Sequence, residues 1–259
     1  LNEQYQPRFA GDEVPSTLTG AAVAIADKID TLVGILGIGK HPTGDKDPYA
    51  LRRAAIGVLR IIIEKALPLD LRWLCEKAGA LHGERLSNRN IEKDFLDFMQ
   101  GRYLAFFQEQ GISTDIVRAV LAVANTRPLD FSQRVQGVKT FKGLSEAESL
   151  AAANKRVRNI LSKRTDATPL PAVDASLLAE NEEKVLYQTL QAVQTQLAAQ
   201  GENYAAKLQT LAQLRTPVDD FFDKVLVNAD DLAIRNNRLS LLSQLQSQFL
   251  GIADISELQ

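Results

Sequence analysis

Apolar residues recur along this chain at intervals of three and four almost from end to end, and no stretch alternates as a half-buried strand would. The segment AAVAIADKIDTLVGI predicts a first helix from Thr17 to Ile35, and the loop GIGKHPTGDKD follows it. Asp47 is the expected N-cap of a second helix, with Pro48 at its first position and an end near Lys65. Pro68 stops that run, and a short helix from Leu69 to Ala80 carries the lone Trp73. The polar break GALHGERLSN is the expected domain boundary, dividing the chain into 1–88 and 89–259. Past it, IEKDFLDFMQGRYLAFFQEQ reads as an aromatic-rich amphipathic helix stopped by Gly111. Further helices are expected at Thr114–Ala124, Pro128–Phe141 and Ser145–Lys163, then TDATPLPAVD as a linker. Asp174 or Ser176 is placed to cap a long helix to Ala199, followed by Tyr204–Leu214. Thr216 is the expected cap of the next, with Pro217 at its first position, and the last runs from Asp230 to Leu250. The predicted fold class is all-α, a helical remnant followed by a helical bundle.

Composition narrows the function classes. Lys and Arg number 30 against 32 Asp and Glu in 259 residues, so any contact with nucleic acid depends on a local patch. One cysteine, Cys75, allows no internal disulfide, and with only His41 and His82 beside it a Cys/His zinc site is out of reach. The usage fits a reducing compartment, and the expected location is cytoplasmic. No apolar run reaches membrane-spanning length, and the polar start has no signal-peptide pattern. The chain opens without methionine, and the expectation is a fragment of a longer protein.

Candidate chemistry is sparse. GILGIGK, Gly34 to Lys40, fits most of a phosphate loop, but His41 stands where a magnesium-holding Ser or Thr is needed, and the motif follows a helix rather than a strand. A helix C-terminus with left-handed glycines explains it as well. Two histidines in no recognisable motif leave no nucleophile–base pair, so no catalytic residue is assigned. LAAANKRVRNILSKR is richer. Leu150, Ala153, Val157, Ile160 and Leu161 fall on one side of its helix, and Lys155, Arg156, Arg158, Asn159 and Lys163 on the other. A solvated face is the ordinary reading. The alternative is a helix that touches phosphates, with Asn159 in reach of a base edge.

VNADDLAIRNNRLSLLSQL poses a separate problem. Leu239, Leu242, Leu245 and Phe249 define a buried arc, into which Arg235 and Arg238 project, while Asn236 and Asn237 point away from it. A buried guanidinium demands a partner. The aspartates nearest in sequence, Asp219, Asp220 and Asp223, are the expected carboxylates of a structural, bidentate pair with Arg238 and Arg235.

FFDKVLVNADDLAIRNNRLSLLSQL, with the upstream ANKRVRNIL helix, resembles the all-helical DALR anticodon-binding domain shared by several aminoacyl-tRNA synthetases. The longer block PRFAGDEVPSTLTGAAVAIADKIDTLVGILGIGKHPTGDKDPYALRRAAIGVLRIIIE is similar to the beta-subunit family of bacterial tetrameric glycyl-tRNA synthetases, and the terminal ADISEL fits as well. The resemblance implies a C-terminal part of such a subunit, a DALR domain within 89–259, and an HD-like remnant in 1–88. In that family glycine activation, with ATP and magnesium, belongs to the alpha subunit, and two alpha and two beta subunits assemble. The implied function is therefore a non-catalytic, glycine-tRNA-binding portion of a glycine–tRNA ligase. Asp27 would match the closing aspartate of an HD metal set whose other elements are not in this chain; no metal or cofactor is expected here. The implied tRNA-facing residues are Lys155, Arg156, Arg158, Asn159 and Lys163, with Asn236 and Asn237 secondary and Tyr187 and Tyr204 possible stacking platforms. The alternative is an assembly module that holds the alpha subunit without touching RNA, for which the aromatics Phe95, Phe98, Tyr103, Phe106 and Phe107 are the best feature.

Overall fold

The computed structural model describes residues 2–123, 125–164 and 168–258, so Thr165–Ala167 of the expected linker lie outside the described residues. Those described form helices and turns with no strand. Contacts divide the chain into two compact units, one of Leu1–Thr114 with Ala124–Ser132, the other of Asp115–Val123 with Gln133–Gln259.

The first unit is built on α1 (Leu18–Gly37), against which α2 (Leu51–Glu64), α3 (Leu71–His82) and α4 (Ile91–Gln108) all pack. Thr17 caps α1 through its hydroxyl, which accepts from the Gly20 N–H at 3.0 Å. The Glu3 carboxylate accepts from the Ser16 N–H at 3.0 Å and from the hydroxyls of Ser16 and Thr17. Those donors hold its pKa down at about 2. GILGIGK closes α1: the helix ends at Gly37 and Gly39 takes φ +75, the helix-stop reading of that motif. The N-cap position of α2 is Ala50 rather than Asp47, but the Asp47 carboxylate reaches the first turn and accepts from the N–H groups of Leu51 and Arg52 at 2.8 and 2.9 Å. Pro48, however, stands outside the helix, because Ala50 turns left-handed (φ 54) before Leu51 begins it.

The expected boundary, the break at 79–88, falls within this unit. Asn88 donates its N–H to the Gly37 carbonyl at 2.8 Å, and the break is a tight turn around Gly83 (φ +59), not a linker. It lets α4 return to α1, and the aromatic run becomes core. Phe95, Tyr103, Phe106 and Phe107 are buried, and Tyr103 stacks on Phe131 with centroids 3.9 Å apart. The feature that favoured an assembly module is therefore interior packing.

α5 (Thr114–Leu121) and α6 (Pro128–Lys142) run across the division between the units. The second unit continues with α7 (Ala147–Ser162), α8 (Asn181–Ala198), α9 (Tyr204–Leu211), α10 (Arg215–Lys224) and α11 (Leu232–Leu250). α8 starts later than the Asp174/Ser176 cap implied. Asp174 caps only a short turn at Ala175–Leu177, and a Glu180/Glu183 capping box opens α8. α10 grows directly out of the turn Ala212–Leu214, so Thr216 has no cap to make. Asp231 caps α11, accepting from Ala233 and Ile234 at 2.8 and 3.0 Å. The next turns of α11 are buried on every side, Asn237 through Leu242 alike. The closing turn Ile255–Glu257 packs on α7.

Candidate nucleic-acid interface

α7 buries Leu150, Ala153 and Val157 as its periodicity requires, with Ile160 and Leu161 half-buried. The five polar residues expected on its outer side meet different fates. Lys155, Asn159 and Lys163 are exposed. Arg156 is exposed too, its guanidinium lying 4.3 Å from the centroid of Phe222 on α10. Arg158 departs from expectation. Its Nη1 bonds Glu257 at 2.7 Å and Asp254 at 3.2 Å, and those carboxylates raise its pKa. It fastens the closing turn to α7 instead of facing solvent, because that turn brings two acids onto the helix from about a hundred residues downstream.

α11 resolves differently from its helical wheel. Arg238 is buried, but its carboxylate is Glu183 and none of Asp219, Asp220 or Asp223. Nε donates to Oε1 at 2.8 Å and Nη2 to Oε2 at 3.2 Å, while Nη1 donates to the Leu226 carbonyl at 2.8 Å. Glu183 is 0% exposed and its Oε2 also accepts the Glu180 N–H at 2.7 Å, so one carboxylate caps α8 and neutralises α11. The three aspartates are turned elsewhere. Asp219 accepts from the Ser149 hydroxyl at 2.7 Å and pairs with Arg215 at 3.6 Å, and Asp223 is exposed.

Asn237, expected to face outward, is buried. Its Oδ1 accepts the Asp174 N–H at 2.8 Å, and its Nδ2 donates to the Asp174 carbonyl at 3.0 Å, clamping the segment that leads into α8. An all-round-buried turn has no outward side. Tyr204 is likewise structural, 6% exposed and set beneath Arg134 at 4.5 Å, where Gly137 lets it approach α6.

Arg235 reverses the other way. It is only half-buried, and no hydrogen bond or ion pair among the described residues engages its guanidinium. With Asn236 it lines a groove of about 510 Å³ between the end of α7 and the start of α11. Lys163, Arg164 and Asn228 complete its polar lining, while Ile160, Leu232 and Leu239 supply the apolar part. Three cations and no carboxylate line it. One Arg164 Nη2 donates to the Thr168 carbonyl at 2.8 Å, which steadies the side chain while leaving other donors. Sequence reasoning named Lys163 and Asn236 for RNA but assigned Arg235 to structure and passed over Arg164 and Asn228. Arg164 was visible as the last cation of an acid-free segment. Asn228 lies in a loop whose course nothing local dictates.

Such a groove can take a phosphate on its cations, stack a base on a guanidinium plane or on Leu232 (59% exposed), and reach base edges with two amides. Among the described residues no three His, Cys, Asp or Glu side chains gather as a metal-ligand set, and Asp27 is an exposed residue of α1. Among the described residues no helix is long and apolar enough to cross a membrane.

Comparison with known proteins adds two findings. Residues 1–122 match the family described as glycyl-tRNA synthetase beta subunit, and residues 150–257 match the DALR anticodon binding domain, which contains both walls of the groove. The whole chain is 54% identical to the glycine–tRNA ligase beta subunit of Haemophilus influenzae (strain PittGG), 56% to that of Cronobacter sakazakii and 57% to that of Erwinia tasmaniensis. In each case it spans 38% of the relative's length.

Proposed function

The chain is a homologue of glycine–tRNA ligase beta subunits along its whole length, and we propose that it is the part of such a subunit that binds glycine tRNA at the anticodon. Its second unit holds the single-stranded loop, and ATP-dependent glycylation takes place on the alpha subunit. In this reading the partners are glycine tRNA and the alpha subunit, in an assembly of two alpha and two beta chains working in the cytoplasm. ATP and magnesium serve the whole ligase; the residues of this chain supply binding energy and position.

One observation carries the reading: Lys163, Arg164 and Arg235 converge with Asn228 and Asn236 on a groove that no carboxylate lines, inside the segment that matches the anticodon-binding family. A polyanion displaces counterions from such a surface, and an unpaired loop presents base edges to the amides. Lys155, Arg156 and Asn159, exposed earlier on α7, form a separate polar patch on the same helix.

The test is binding of glycine tRNA to the chain and to a Lys163→Glu/Arg164→Glu/Arg235→Glu variant. Affinity should fall at least about tenfold, and the slope of log affinity against log salt should become shallower by about two. Lys139→Glu, a reversal at an exposed site on α6, should have little effect. Equal loss in the triple variant and in the Lys139 control would remove the groove from the interface.

A further inference from the structure

The first unit contains a second cleft, of about 650 Å³, built from the Phe9–Gly11 loop, the outward stripe of α2 and the end of α4. That volume lies in the range typical of small-molecule pockets, roughly 300–1,000 Å³. Its floor is apolar: Ile56 and Ile63 from α2 with buried Phe106 from α4. Phe9, a residue 59% exposed, forms a wall. The ring is held from behind by Arg8, 5.7 Å from its centroid, and Arg8 is itself fixed on Asp12 at 2.9 and 3.1 Å. An exposed aromatic face that is held this way is a stacking surface, not a frayed end.

The charges in the cleft are arranged unevenly. At one end Arg60 bonds Glu64 at 2.7 Å, so those two cancel. At the other, near the start of α2, the guanidinium groups of Arg52 and Arg53 have no carboxylate partner among the described residues; that of Arg52 donates to the Gly44 carbonyl, while its backbone N–H is the one Asp47 accepts. The lining acid left without a cation is Glu109, at the end of α4. A flat apolar bed with unmatched guanidinium groups at one end fits a ligand that joins an aromatic ring to a phosphate.

We propose that this cleft binds a phosphorylated nucleotide, with the base against Phe9 and the Ile56–Phe106 floor and the phosphate on Arg52 and Arg53. A free mononucleotide and an unpaired nucleotide of an RNA strand share this chemistry. The site is independent of the groove in the second unit and stands whether or not that groove takes RNA.

Calorimetric titration of the chain with AMP, with inorganic phosphate and with a single-stranded tetraribonucleotide tests it. AMP should bind at least about tenfold more tightly than phosphate, because the base contributes stacking energy. Arg53→Glu should weaken AMP about tenfold or more through the lost charge-assisted bonds, and Phe9→Ala should do so about fivefold. Both residues are exposed, so the variants should keep the parent melting temperature; Arg53→Gln replaces the reversal if it does not. Lys139→Glu, at an exposed position on α6 that lines neither this cleft nor the groove, should leave AMP binding unchanged. A tetraribonucleotide that binds like AMP identifies a free-nucleotide site. One that binds about tenfold tighter, with the same sensitivity to Phe9 and Arg53, identifies a strand site. The proposal fails if neither nucleotide binds at millimolar concentration, if phosphate matches AMP, or if Arg53→Glu and Phe9→Ala leave affinity intact.

Discussion

Arg238→Ala should be among the most damaging single substitutions on α11, although the helix would keep its cap and its leucines. The substitution removes both bonds to Glu183 and the bond to the Leu226 carbonyl, and leaves a carboxylate that is 0% exposed without its cation. Removing one member of a buried ion pair costs about 3–5 kcal/mol, chiefly through the stranded charge. For a unit of this size that corresponds to a melting temperature lower by roughly 10 °C or more. Glu183→Gln in the same background should recover part of the loss, since a neutral amide is cheaper to bury than an unpaired carboxylate. Arg235→Ala, three residues earlier, provides the contrast. Half-exposed and without a partner among the described residues, it should change stability by no more than about 0.5 kcal/mol. Urea and thermal unfolding followed by circular dichroism would measure all three. If Arg238→Ala melted within a degree or two of the parent, or if Arg235→Ala lost as much, the assignment of one arginine to the interior and the other to the groove would be wrong.

Other outcomes follow from specific contacts. Gly137→Ala would set a Cβ 3.0 Å from the Tyr204 backbone carbon and 3.1 Å from the Ala205 nitrogen, and should cost about 1–3 kcal/mol, read as a lower urea midpoint. The Glu3 carboxyl is held at about 2 against an ordinary value of 4.5, so its stabilisation is present above pH 4.5 and fades as the pH falls toward 2. Glu3→Gln should therefore show a shallower acid limb over that window in a plot of melting temperature against pH. Cys75 is 2% exposed and burial pushes its thiol up to about 11, so a thiol reagent at pH 8 should modify it only as fast as the first unit opens.

The parts of this fold legible in the sequence are those governed by neighbours a few residues away. The leucine arc of α11, the starts of α1 near Thr17 and of α11 near Asp230, and the aromatic period of α4 depend on local spacing, and the structure contains them. Pairings over long stretches of chain were not legible. Arg238 meets Glu183 across 55 residues, while of the aspartates that looked convenient Asp219 is engaged by Ser149 and Asp223 is exposed. Arg158 is taken by Glu257, 99 residues on. A cationic helix face can be read from periodicity, but which of its charges are already neutralised depends on the path of distant segments. That is why the candidate site moved from the middle of α7 to its end, and why Arg235 changed role while Arg238 kept its role with a different partner.

The latch between Arg158 and the closing turn also sets the scale of what this unit could grasp. With that charge tied to Asp254 and Glu257, positive potential on α7 is interrupted midway and gathers again only beyond Ile160. A strand arriving here would be gripped at separate spots, with no continuous rail along which a duplex could lie.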